Sequence, residues 1–220
     1  GLVVLSEMFS TGFAMGDEWA ARLSEPRDGA SSRFLRDMAS SFGTWVAGSC
    51  PEIAADMRLP ANTLVIAGPD GTIHRYEKIH PFTYGGEDRY CRKGSAHLTV
   101  TIDGVRVSAF VCYDLRFADH FWSLADTTDL YIVPANWPAS RAEHWSTLLA
   151  ARAIENQAYV VGVNRVGAGG NLTYGGGSRI VGPFGEDLAQ AGDGEQILYA
   201  DVTADQVAET RAKYPFLRDR

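Results

Sequence analysis

Apolar runs of strand length alternate with a few stretches at helical spacing along the whole chain. Leu2–Leu5 opens it as a buried strand. Phe34, Leu35, Met38, Ala39 and Phe42 recur at helical spacing and predict a helix over Arg33–Phe42. Thr44–Cys50 and Asn62–Gly68 read as strands, and Pro69-Asp70-Gly71 as the turn of a hairpin continuing through Ile73–Tyr76. His97–Ile102 and Val105–Val111 form a second hairpin around Ile102-Asp103-Gly104. The unbroken apolar character of Val107–Val111 fits a strand covered on both faces. Ala118–Ala125 reads as a helix and Asp129–Pro134 as another buried strand. Ala142–Asn156 is the clearest helix, with Trp145, Leu148, Leu149 and Ala153 on one stripe. Arg152 and Glu155 are spaced on it to pair. Tyr159–Val163, Ser178–Val181 and Gln196–Asp201 complete the strands, and Ala204–Lys213 the helices. The alternation predicts an α/β fold with helix-covered sheets, in a single domain over residues 1–220.

Composition narrows the function. With 45% hydrophobic residues in 220, the chain can bury one substantial core. A net charge of −7 without Lys/Arg clusters argues against nucleic acid or an anionic membrane as partner. No apolar run approaches the ~20 residues that span a bilayer. Cys50, Cys91 and Cys112 are odd in number and lack metal-ligand spacing, which suits a reducing cytoplasm and leaves room for a reactive thiol. No metal and no cofactor is called for. The glycines around Gly167, Gly169 and Gly170 do not follow a strand and open a helix, so a dinucleotide fingerprint is rejected there.

The candidate chemistry sits at strand tips. Cys112 ends the Val107–Val111 run, immediately before Tyr113-Asp114-Leu115-Arg116, where open α/β sheets place their ligands. The backbone N–H of Tyr113 is then placed to meet an oxyanion. The bland alternative is a core cysteine. Glu7 ends the first strand in the same manner, against the alternative of an exposed strand-end carboxylate. Lys78 lies among apolar and aromatic neighbours before a Pro-containing loop, as a buried cation or as a side chain snorkelling to solvent. Glu87 follows nine positions later in Thr83–Tyr90. Together they suffice for acyl transfer. Burial raises a carboxylate toward neutrality so that it can accept the thiol proton, and the lysine favours the thiolate and then the oxyanion. A papain-like Cys/His pair is the competitor, but none of His74, His80, His97, His120 and His144 lies in such a signature.

Three segments carry a family resemblance: LSEMFSTGF, YEKIHPF and FVCYDLRF resemble the three motifs of the nitrilase superfamily of carbon–nitrogen hydrolases, in the right order. PANWPASRAEHW, LLAARAIENQAYVVGVNRVG and GGGSRIVGPFGE are similar to its omega-amidase branch. The resemblance covers essentially the whole chain. It implies a four-layer α-β-β-α sandwich, a homodimer, and hydrolysis of an amide through a cysteine thioester. It assigns Cys112 as nucleophile, Glu7 as general base, Lys78 as stabiliser of the tetrahedral intermediate and Glu87 as supporting glutamate. Omega-amidases act on 2-oxoglutaramate or 2-oxosuccinamate, giving the 2-oxo acid and ammonia.

A carboxylate-bearing substrate needs a cationic clamp. Arg116 is one candidate, against an internal pair with Asp114 or Asp119. Tyr84, Asn136 and Trp137 are candidates to line the pocket, Trp137 against simple packing. The other readings are a different amidase, an N-carbamoyl amide hydrolase, or a non-catalytic binding protein retaining the fold. Family members begin with a further strand and helix ahead of the Glu7 motif. The expectation is therefore an N-terminally truncated chain, with Leu2–Leu5 left as an exposed edge or covered by a partner chain.

Overall fold

Strands that are apolar on both faces need a covering layer on each side, and the arrangement supplies both. The computed structural model describes residues 1–16 and 22–219. A first sheet contains β1 (Leu2–Val4), β2 (Glu25–Pro26), β3 (Trp45–Ile53), β4 (Ala61–Ala67) and β5 (Ile73–Glu77). Its order is β1-β3-β4-β5, with β2 beside the far end of β3; β1 and β2 run parallel to β3 and the other pairs are antiparallel. The second sheet begins with β6 (Thr99–Ile102), β7 (Val105–Ala109), β8 (Leu130–Ala135) and β9 (Tyr159–Asn164). After a separate hairpin of β10 (Val166–Gly169) and β11 (Leu172–Gly175), β12 (Arg179–Val181) and β13 (Asp187–Gln190) extend it to the order β13-β12-β9-β8-β7-β6. The central β7, β8 and β9 are parallel.

Alternation along the strands divides the core. Leu64 and Ile66 of β4 join Ala47 and Tyr76 in packing on the second sheet, whereas Val65 and Ala67 face the opposite side. There, helix α1 (Ala30–Phe42) lays Leu35 and Ala39 over Val46, Cys50, Val65 and Ala67. The outer face of the second sheet is covered by α2 (Ala118–Ser123) and α3 (Ala142–Asn156), and α4 (Ala204–Lys213) buries Val207 in the same core. Gly162 lets α3 approach β9, since a Cβ there would stand 2.5 Å from Leu149. The result is the expected α-β-β-α sandwich. Among the described residues no helix is long and apolar enough to cross a membrane.

The fold departs from expectation at one side. Gln196–Asp201 joins no ladder, and Ile197 and Tyr199 are largely in solvent. A strand needs a neighbour within hydrogen-bonding reach, and this segment instead borders a cavity of ≈ 1090 Å³. The opposite wall of that cavity is β1 with Leu5 and Ser6. Among the described residues β1 has one ladder neighbour, β3, so Leu2–Val4 is an edge there and Val3 is half exposed.

Candidate active site

Four strand ends from both sheets converge on one buried cluster. Glu7 lies just beyond β1, Lys78 directly after β5, and Asn136 directly after β8, while Asn62 is the second residue of β4. Glu87 opens a 3₁₀ turn, Glu87–Arg89. Lys78 is 1% exposed, so snorkelling is excluded, and its Nζ donates to Glu7 Oε1 (2.9 Å) and Glu87 Oε2 (2.8 Å). Asn62 Nδ2 bridges the same two carboxylates, at 2.8 Å from Glu7 Oε1 and 3.0 Å from Glu87 Oε1. The Asn136 backbone N–H donates to Glu7 Oε2 (2.8 Å), and its side-chain amide donates to the Glu7 carbonyl (2.8 Å). The Phe82 N–H holds Glu87 Oε2 (2.6 Å).

Cys112 faces this cluster from the tip beyond β7. Its thiol lies within the electrostatic reach of Glu7, Lys78 and Glu87. Its φ of +48° lies in the left-handed region, which costs a non-glycine residue on the order of 1–2 kcal/mol. The buried carboxylate of Asp114 holds the bend. Its Oδ2 accepts from the Val111 N–H (3.0 Å) and the Tyr76 hydroxyl (2.8 Å); its Oδ1 accepts from the His80 N–H (2.9 Å) and lies 3.0 Å from His80 Nδ1. Asp114 thus ties the Cys112 bend to β5 and to the loop that follows Lys78. Cys112 opens a 3₁₀ turn, Cys112–Arg116, and the first-turn N–H of Tyr113 has no carbonyl of that turn to bind.

Electrostatics sets the resting protonation. Burial, reinforced by the charge of Glu7, pushes the Cys112 thiol well above its ordinary 9.0, and the pull of Lys78 does not offset it. This differs from the expectation of a lysine-favoured thiolate, because desolvation outweighs one cation already shared by two carboxylates. Burial alone would lower Lys78, but Glu7 and Glu87 outweigh it and hold the ammonium charged. Burial raises Glu87 above the ordinary carboxylate range, against the pull of Lys78. Cys91, buried nearby, is pushed up to about 12 by burial and the charge of Glu87.

A narrow pocket opens over the sulfur, lined by Cys112, Tyr113, Arg116, Asn136, Trp137 and Arg141. Tyr174, from the β10–β11 hairpin, and Phe82 also face it. Tyr84 does not line it: this side chain is 88% exposed, with its ring 5.9 Å from that of Phe82. Arg116 pairs with neither candidate acid, since Asp114 serves the bend and the Asp119 side chain stands in solvent beside His120. Its guanidinium lies 4.7 Å over the Trp137 ring, with Nη2 3.3 Å from His144 Nδ1. Trp137 both packs, on Trp145, and lines the pocket. Asn62, Arg141 and Tyr174 were not singled out from sequence. An amide inside the apolar NTLVIA run was the one available signal for Asn62.

The description "Carbon-nitrogen hydrolase" belongs to a family model that matches residues 1–212. The omega-amidase YafV of Escherichia coli K12 is 39% identical over 227 residues, covering 99% of this chain and 83% of that protein. A 2-oxoglutaramate amidase of Bacillus subtilis is 33% identical over 225 residues, covering 99% and 84%. The crystal structure of XC1258 from Xanthomonas campestris, a CN-hydrolase superfamily protein with an arsenic adduct in its active site, superimposes with a TM-score of 0.93 at 35% identity. That match covers 100% of this chain and 84% of the other.

Proposed function

The chain belongs to the carbon–nitrogen hydrolase family, whose members act on non-peptide C–N bonds, and from that premise we propose that it removes the terminal amide of a small 2-oxo acid amide through a thioester on Cys112. The observation that carries the chemistry is the Lys78 ammonium clamped between Glu7 and Glu87 against a buried, protonated thiol. Glu7 takes the thiol proton as sulfur forms its bond to the amide carbon. The resulting oxyanion is met by the Tyr113 N–H and Lys78. Collapse breaks the C–N bond, the proton held by Glu7 passes to nitrogen, and ammonia leaves. Glu7 then deprotonates water, which attacks the thioester; cleavage of the C–S bond frees the acid and returns the proton to sulfur.

The second glutamate has a separate task. With two hydrogen bonds from Lys78 and Asn62, Glu87 keeps the ammonium fixed while Glu7 exchanges its proton. The substrate class draws on the names of the relatives, an omega-amidase and a 2-oxoglutaramate amidase, and on Arg116, a pocket cation without a carboxylate partner among the described residues. The family resemblance also supports a homodimer, which light scattering tests.

Ammonia release from 2-oxoglutaramate, 2-oxosuccinamate, glutamine, asparagine, N-carbamoyl amino acids and nitriles decides the reading. Turnover is expected on the two 2-oxo acid amides above the rest. Ammonia from N-carbamoyl amino acids alone, or from none of the panel, would overturn it.

A further inference from the structure

We propose that Arg141 joins Arg116 in a two-guanidinium clamp for a substrate carboxylate, so that the pocket selects amides of small acids whose far end is an anion. The proposal rests on the thioester reading above and adds the residue that sets its specificity.

The two arginines come from separate 3₁₀ turns, Cys112–Arg116 and Ala139–Arg141, and line the same pocket over the sulfur. One side chain braces both. The Trp137 indole N–H donates to the Arg141 carbonyl (2.8 Å), and the face of that indole carries the Arg116 guanidinium at 4.7 Å. Trp137 is itself buried against Trp145. The Arg141 guanidinium lies 5.6 Å from the centre of the Phe82 ring. Both cations are therefore held over aromatic faces. Arg116 spends one Nη2 N–H on His144 Nδ1, while its remaining N–H groups and the Arg141 fork take no hydrogen-bond partner among the described residues and can meet a ligand.

Charge supplies the second half of the argument. Among the described residues neither arginine takes part in an ion pair. Among the described residues no Asp or Glu lines the pocket. The nearby acids are already engaged, Glu7 and Glu87 by Lys78, Asn62 and Asn136. Two like charges sharing a narrow, half-buried pocket repel each other, and a carboxylate relieves both at once. Its two oxygens, with a neighbouring carbonyl, match the parallel N–H donors of two forks. A neutral amide leaves the repulsion in place.

The test compares wild type, Arg141→Gln and Arg141→Lys on 2-oxoglutaramate and on pentanamide, a neutral amide of the same chain length. Arg141→Gln should lower the ratio of kcat/KM for the charged over the neutral amide by about 10- to 100-fold, mostly through KM for the charged one. Arg141→Lys should recover part of the ratio. An unchanged ratio would overturn the clamp. Alkylation of Cys112 provides an arm independent of turnover, and so separates failure of the clamp from failure of the amidase reading. Wild type should favour iodoacetate over iodoacetamide more than Arg141→Gln does; equal preferences in the two proteins would end the proposal even if no amide is turned over.

Discussion

At the scale of the residue, the resting thiol is neutral. Burial and Glu7 hold Cys112 well above its ordinary value, so the thiolate forms only as its proton is taken. Thiolate absorbance near 240 nm, wild type minus Cys112→Ala, should stay flat from about pH 6 to 9, and the variant should keep its fold while losing all turnover. A titration step near neutrality would contradict the protonation order above. Lys78 is the other informative site. Lys78→Ala leaves Glu7 and Glu87 buried around Asn62 without a cation, and should cost about 3–5 kcal/mol along with activity. Adding Glu87→Gln should restore part of the melting temperature but none of the turnover. If the double variant melts no higher than the single one, the two carboxylates do not repel as argued. Glu7 and Cys112 stood out because each follows an apolar run at a strand tip, and Lys78 because it stands among apolar and aromatic neighbours before a Pro-containing loop. Asn62 and Arg141 were not, because their meaning depends on what stands across from them once the sheets stack.

Among elements, the parallel β7–β8 pair is locked at its entry by one carboxylate. Asp129 accepts from the Arg106 backbone N–H (2.9 Å), Nε (2.9 Å) and Nη2 (2.6 Å). Burial would raise this carboxyl, but the Arg106 donors win and hold it below its ordinary 3.8. A carboxyl depressed in the fold contributes stability above its unfolded pKa, near 3.9, and loses it as pH falls through the folded value. Asp129→Asn should therefore cost about 1–3 kcal/mol at neutral pH. The gap between variant and wild type, read from urea midpoints, should narrow below about pH 4; a gap independent of pH would contradict the assignment. The helices Ala142–Asn156 and Ala204–Lys213 matched their sequence reading to the residue, since periodicity and ends agree. The β10–β11 hairpin escaped, because Gly167, Gly169 and Gly170 obscure any alternation and its two-residue turn relies on Gly170 at φ +58°. Gln196–Asp201 failed in the opposite sense: its alternation is good, but among the described residues it pairs with no strand.

For the molecule as a whole, strands apolar on both faces made helix-covered sheets legible, whereas the stacking of two sheets was implied only by the family resemblance. What brings the chemistry together is that tips from both sheets meet at one end, with Glu7, Lys78 and Asn62 from the first and Cys112 and Asn136 from the second. Of these, Glu7 follows the shortest strand, three residues long, with a single ladder neighbour among the described residues and a cavity on its other side. Within the described residues the site is therefore hinged to a short edge strand, whose docking is a local equilibrium distinct from the stability of the globule. Amides of Leu2–Val4 should exchange with deuterium faster than those of β8. In a urea titration, turnover should vanish before far-UV ellipticity changes; coincident transitions would contradict this. A preparation can then be folded by every bulk measure and still be inert, so specific activity reports how often one short strand is docked.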